Sequence, residues 1–194
     1  DTNLPSLVVL PECFAFFGGR DISALTLLDA KVQAQLFDRL ASIAKCYQIW
    51  LIAGSIPTPS PVADKMYATA LCFDPHGQLV GKYHKTHLFD VDINDATGAY
   101  RESQSTLAGT EPFVLETDFG RIGVCICYDL RFSTLFNAMV KDSAIDYLVV
   151  PAAFTKATGQ AHWHHLLAAR AIEYQCYVIA ANQGGTHTNG RQTN

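Results

Sequence analysis

Short runs dominated by apolar residues recur along the chain at 6–10, 48–53, 147–150 and 176–181, as in Ser6-Leu7-Val8-Val9-Leu10 and Tyr147-Leu148-Val149-Val150. Runs of this length, rich in Val, Leu and Ile, fit strands covered on both faces. Between the first two, Val32, Leu36, Phe37, Leu40, Ile43 and Ala44 return at helical spacing, with Lys31, Gln35, Asp38 and Arg39 between them. That pattern predicts an amphipathic helix over 29–45 and, with its flanking strands, a βαβ unit. Pro57 to Pro61 reads as a loop. Strand-like runs at 66–73 and 78–84 flank the turn residues Asp74-Pro75-His76-Gly77 and predict a hairpin; 112–115 and 121–127 flank Thr117-Asp118-Phe119-Gly120 and predict another.

The polar stretch from Asp90 to Gly109 has little periodicity and several turn formers, and reads as a long loop of the kind that more often serves function than not. Asp129 is placed to cap a helix over 130–141, and a helix over 161–174 sets Trp163, Leu166, Leu167 and Arg170 on one stripe. No internal repeat, low-complexity tract or linker interrupts the 194 residues. The reading is one mixed α/β domain spanning 1–194.

Composition narrows the function classes. Hydrophobic residues make up 49% and charged residues 16%, enough apolar material for a core without staples. A net charge of −4, from 14 Lys+Arg against 18 Asp+Glu, offers no basic field for a nucleic-acid backbone. No apolar stretch reaches the ~18 residues of a membrane span, and no signal peptide is read at the start. Six cysteines lie mostly within apolar runs such as Ala70-Leu71-Cys72-Phe73, which fits reduced thiols and a cytoplasmic location.

Cys127 follows an apolar strand and precedes a helix start, where the helix's positive end lowers a thiol's pKa and raises its nucleophilic fraction. On position alone it could equally be a core residue like Cys125. A thiolate attacking a carbonyl carbon needs a base for its proton and a donor for the oxyanion. None of the seven histidines has the context of a Cys-His protease, and His162, His164 and His165 on one helix, with no accompanying thiolate pair, read as a wet helix face rather than a metal site. Two other ionisable residues reach strand exits, Glu12 after Leu10-Pro11 and Lys85 after Tyr83-His84. Ligands in open α/β sheets gather at such ends.

Three contexts, Leu10-Pro11-Glu12-Cys13-Phe14, Tyr83-His84-Lys85-Thr86-His87-Leu88-Phe89 and Gly123-Val124-Cys125-Ile126-Cys127-Tyr128-Asp129-Leu130-Arg131-Phe132, resemble in kind and order those of the nitrilase superfamily of carbon–nitrogen hydrolases. Phe119-Gly120-Arg121-Ile122-Gly123, Ala169-Arg170-Ala171-Ile172-Glu173 and Ala180-Ala181-Asn182-Gln183 extend the resemblance over nearly the whole chain. It implies a four-layer α-β-β-α sandwich, a homodimer or higher homo-oligomer, no metal or organic cofactor, and a small-molecule amide as substrate. It also implies a Glu-Lys-Cys catalytic set, carried here by Glu12, Lys85 and Cys127, with Glu102 in Tyr100-Arg101-Glu102-Ser103 as a second glutamate. Cys127 would attack and form a thioester, Glu12 would relay the proton, and Lys85 with the Tyr128 backbone N–H would hold the oxyanion.

Phe14-Ala15-Phe16-Phe17-Gly18-Gly19, His87-Leu88-Phe89-Asp90 and Gly159-Gln160-Ala161-His162-Trp163 are similar to the Nit1 and Nit2 amidases. That branch implies hydrolysis of deaminated glutathione, with an ω-amidase acting on 2-oxoglutaramate-like acids as the alternative and a generic aliphatic amidase or nitrilase third. Arg131 is a candidate to bind a substrate carboxylate, or to bind Asp129 or another acid structurally. The chain departs from the family at Ser133-Thr134, where Pro-Glu is common, and at Tyr174, where Asn is common. It also lacks a strand and helix expected before Leu10-Pro11-Glu12 and strands after Asn189-Gly190-Arg191, so truncation at both ends is expected; an incomplete or partner-binding relative without activity is the non-enzyme alternative.

Overall fold

The computed structural model describes residues 6–17, 28–92 and 98–194. The first apolar run forms β1 (Leu7–Leu10), the amphipathic segment α1 (Ala30–Tyr47) and the second run β2 (Trp50–Pro59). β1 and β2 pair in parallel, Leu7 with Trp50 through Leu10 with Ala53, completing the βαβ unit. Asp29 caps α1 by accepting from the Lys31 and Val32 backbone N–H groups at 3.0 Å. The chain then folds back through β3 (Met66–Phe73) and β4 (Leu79–His84) in the order β1-β2-β3-β4. Their turn forms as its residues predict, with Asp74 accepting from the His76 and Gln78 N–H groups at 2.9 and 2.8 Å and Gly77 at φ +79°.

After β4 come β5 (Asp90–Asp92), β6 (Ala99–Arg101) and a 3₁₀ turn, Glu102–Gln104. The second sheet has the order β10-β9-β8-β7, from β7 (Val114–Thr117), β8 (Gly120–Val124), β9 (Tyr147–Ala152) and β10 (Tyr177–Asn182). A 3₁₀ turn, Cys127–Arg131, and α2 (Ser133–Met139) link β8 to β9; α3 (Lys156–Tyr174) links β9 to β10.

Strand periodicity sorts side chains into layers. On β2 and β3, Ile52, Ala70 and Cys72 enter a core shared with Ile122, Val124 and Val149 of the second sheet. Their neighbours Leu51, Ala53, Leu71 and Phe73 face the other way and pack under Leu40 and Ala44 of α1. Trp163, Leu166 and Leu167 bring α3 onto the second sheet. The result is the α-β-β-α sandwich that the family resemblance implies.

Several expectations change. β1 is not covered on both faces: the α1 layer centres on β2 and β3 and leaves Val8 37% exposed. Pro57 and Pro59 lie within β2, not in a loop. β1 pairs only as far as Ala53, so beyond it β2 has, among the described residues, β3 on one side alone, and the Pro57 carbonyl accepts from Gln33 Nε2 at 2.7 Å. Missing N–H groups on the other side break no ladder bond. The expected loop at 90–109 contains the antiparallel pair β5 and β6. β8 ends at Val124, before Cys127, and the expected helix over 130–141 shortens to α2. Asp129 does not cap it; its carboxylate is committed to buried donors described below. Gly18 and Gly19 of the quoted motif lie outside the described residues. The two departures at Ser133 and Tyr174 meet, the Tyr174 hydroxyl donating to Ser133 O at 3.2 Å and Asn137 Oδ1 at 2.8 Å.

Candidate active site

β1 ends at Leu10 and delivers Glu12, and β4 ends at His84 and delivers Lys85, both from the first sheet. Gly54 and Gly109 allow this. A Cβ on Gly54 would stand 1.7 Å from Pro11 O, and one on Gly109 would stand 2.3 Å from His84 O. The β2–β3 register shifts between Ala53 and Ile56, and Ser55 at this irregularity accepts from the Cys13 backbone N–H at 3.1 Å.

Lys85 Nζ donates to Glu12 Oε1 at 2.9 Å and to Glu102 Oε1 and Oε2 at 3.1 and 2.9 Å. Glu102, on the 3₁₀ turn after β6, also accepts from the Phe89 backbone N–H at 2.6 Å. Lys85 is 2% exposed. Burial alone would push its ammonium pKa down, but the charges of Glu102 and Glu12 outweigh burial and hold it well above the ordinary range.

From the second sheet, Cys127 begins its 3₁₀ turn with a left-handed backbone, φ +48°. A non-glycine residue held there stores strain, a feature that concentrates at functional sites. Burial first and the Glu12 charge second push the thiol well above its ordinary pKa, while Lys85 and the Ala153 backbone N–H act in the opposite sense. The expected lowering by a helix terminus is therefore reversed: the turn is short and the side chain is closed off from solvent. Asp129 N–H donates to Ile126 O at 3.1 Å to open the turn, leaving the Tyr128 N–H outside the turn's own bonding.

These groups line a cavity of about 580 Å³ with Tyr128, Arg131 and Phe154. Arg131 pairs with no carboxylate among the described residues, so it does not bind Asp129. Its guanidinium lies 5.9 Å from the Tyr128 ring and 5.4 Å from the Phe154 ring, and it donates to His162 Nδ1 at 3.3 Å. His162, His164 and His165 are exposed, and no cluster suited to a metal ion occurs among the described residues.

Asp129 is the supporting residue that the sequence pattern does not reveal. Fully buried, it accepts from Tyr83 OH (2.7 Å), Ile126 N (2.9 Å), Thr86 OH (2.9 Å) and the backbone and ring nitrogens of His87 (both 2.8 Å). It therefore ties the Lys85 strand exit to the Cys127 turn. Arg170 holds the same turn from α3, donating through Nε and Nη2 to Leu130 O at 3.2 and 3.1 Å. Gln183 reaches across from the end of β10 to donate to Glu12 O at 3.2 Å. Side chains that act through backbone partners in another element leave no local motif.

A two-sheet sandwich with a carboxylate–ammonium–carboxylate group and a cysteine in one cavity agrees with the resemblance, and this chain belongs to the carbon–nitrogen hydrolase family: the Carbon-nitrogen hydrolase profile matches residues 5–194. It is 45% identical over 159 residues to a deaminated glutathione amidase of Yersinia enterocolitica, covering 81% of this chain and 55% of that protein. It is 35% identical over 175 residues to the omega-amidase NIT3 of Saccharomyces cerevisiae, covering 89% and 60%. The crystal structure of the C. elegans NitFhit protein superposes with a TM-score of 0.86 at 39% identity, covering 97% of this chain and 45% of that one. The chain thus spans little more than half the length of these curated relatives.

Proposed function

We propose that residues 1–194 form one domain carrying a cysteine-dependent amidase site that hydrolyses a linear, non-peptide amide. The observation that carries this is the convergence of Glu12, Lys85 and Glu102 with Cys127 in one cavity. As the Cys127 sulfur bonds to the amide carbon, its proton passes to Glu12 and the carbonyl electron pair moves onto oxygen. The Lys85 ammonium and the Tyr128 N–H hold that oxyanion. Collapse breaks the C–N bond, the nitrogen takes the proton from Glu12, and a thioester remains. Water then gives a proton to Glu12 as it attacks the thioester; the C–S bond breaks, the acid leaves, and the proton returns to sulfur. Glu102 fixes Lys85 in place and shares its charge.

A deaminated glutathione-like amide is the first choice of substrate, supported by similarity to amidases of that name. The relative named as an omega-amidase supports small ω-amides as the second reading. Arg131, lining the cavity without an acidic partner, suits the carboxylate that either substrate bears on its acyl part. A cytoplasmic location rests on the six free cysteines; separately, no helix among the described residues is long and apolar enough to cross a membrane. Homo-oligomerisation is supported by Ile172 and Tyr177, large apolar residues largely exposed on α3 and β10, and sedimentation velocity tests it.

The activity test is release of ammonia or amine from a panel of ω-amides that includes deaminated glutathione. Cys127→Ala should abolish release while the protein keeps its circular-dichroism spectrum and melting behaviour. Lys85→Met, removing one oxyanion donor, should cost at least about 10²–10³-fold. Hydrolysis retained in Cys127→Ala would overturn the reading.

A further inference from the structure

We propose that Arg191 is a second anion-binding side chain of this cavity and that it selects amides whose leaving amine carries a carboxylate of its own. The assignment rests on the amidase reading of the same cavity.

Among the described residues, the charged side chains lining the cavity are Glu12, Lys85, Arg101, Glu102, Arg131 and Arg191. Lys85 is matched by Glu12 and Glu102, and Arg101 is paired with Asp92 at 2.5 Å. Arg131 and Arg191 have no carboxylate within ion-pair distance among the described residues. Two guanidinium groups are thus left for anionic groups on whatever enters, one more than a primary ω-amide with a single carboxylate can use.

Arg191 is also pre-positioned. Its Nη2 donates to Ala153 O at 3.0 Å, and its guanidinium carbon lies 4.9 Å from the ring centroids of both Phe17 and Tyr100. Its Nε is buried with no hydrogen-bond partner among the described residues. A buried donor left unmatched is costly, and a fixed guanidinium edge is the geometry that takes a carboxylate in a fork.

The two arginines stand over different rings. Arg131 stands over Tyr128, next to Cys127, to which the acyl group becomes bonded. Arg191 stands over Phe17, in the segment that follows Glu12, and over Tyr100, two residues ahead of Glu102. Glu12 returns the proton to the departing nitrogen, so on this proposal the amine and its carboxylate lie toward Arg191, with the acyl carboxylate met by Arg131.

Glutaramate, which releases ammonia, and N-glutarylglycine, which releases a carboxylate-bearing amine, separate the two contributions. Arg191→Met should lower the ratio of kcat/KM for N-glutarylglycine over glutaramate by about 10–100-fold, mainly through KM, because a charge-assisted bond is lost for one substrate only. Arg191→Lys should recover part of that ratio, and Arg131→Met should depress both substrates together. An unchanged ratio in both folded Arg191 variants overturns the assignment while leaving the amidase reading intact. Calorimetric binding of N-glutarylglycine to Cys127→Ala protein, with and without Arg191→Met, decides the role of Arg191 even if neither amide is turned over. A drop in affinity of similar size supports it, and equal affinities overturn it; absence of turnover by the unaltered protein counts against the amidase reading instead.

Discussion

The ionisation of Cys127 bears on how the nucleophile is made. A thiol pushed well above its ordinary pKa of about 9 by burial and by Glu12 is protonated at neutral pH. In the proposed mechanism the reactive sulfur is then produced during attack, by proton transfer to Glu12, rather than held as a standing thiolate. Alkylation by iodoacetamide should accordingly keep accelerating as pH rises past 9, with no plateau near neutrality. In Glu12→Gln the apparent midpoint should fall, since a negative charge beside the sulfur is gone and Lys85 remains, even though amide hydrolysis is lost; mass spectrometry of the modified Cys127 peptide reads this directly. The strand-to-turn position of Cys127 was visible in the residues around it, but the direction of its pKa was not. Position at a turn suggests one sign, and closure by the Glu12 and Lys85 segments, distant in sequence, imposes the other. Cys13 shows the same effect, with burial raising it to about 12.

Elements matter here through their ends. The Lys85 exit of β4 and the Cys127 turn are joined by Asp129, which satisfies two hydroxyls, two backbone N–H groups and a histidine ring. Asp129→Ala takes the acceptor from the buried Tyr83 hydroxyl and Ile126 N–H and from the half-buried Thr86 and His87 donors, and should cost about 3–5 kcal/mol in denaturant unfolding. Gly54→Ala acts at another end: the added Cβ would collide with Pro11 O, so the backbone that carries Glu12 must shift. Its expected signature is a loss of kcat well beyond its loss of stability, measured on the same preparation. The hairpin of β3 and β4 could be read from Asp74-Pro75-His76-Gly77 because its turn chemistry is local. The pair β5 and β6 could not, because three-residue strands carry no periodicity and are held by Arg101, paired to Asp92, and by Ser103, whose N–H donates to Asp90 at 3.0 Å. Pro57 misled for a related reason, since among the described residues its stretch of β2 pairs with a strand on one side alone.

At the scale of the whole molecule the site is a seam. Glu12 and Lys85 come from one sheet and Cys127 from the other, so the layer between the sheets sets the distance that the proposed proton transfer must cross. Periodicity alone indicated a mixed α/β chain; facing two sheets against each other came from family resemblance, because the side of Leu51-Ile52-Ala53 that meets a sheet is decided by second-sheet residues such as Ile122 and Val149, far along the chain. The same three residues provide a test. Leu51 packs under α1 and Ile52 into the intersheet core, both almost fully buried on one strand. Leu51→Ala and Ile52→Ala should each destabilise the fold by about 2–5 kcal/mol. Only Ile52→Ala opens a void between the two halves of the site, so it should lower kcat by a larger factor when both variants are assayed well below their melting temperatures. Equal activity losses would mean that the turn held by Asp129 and Arg170, rather than the core beneath it, keeps Cys127 in register with Glu12.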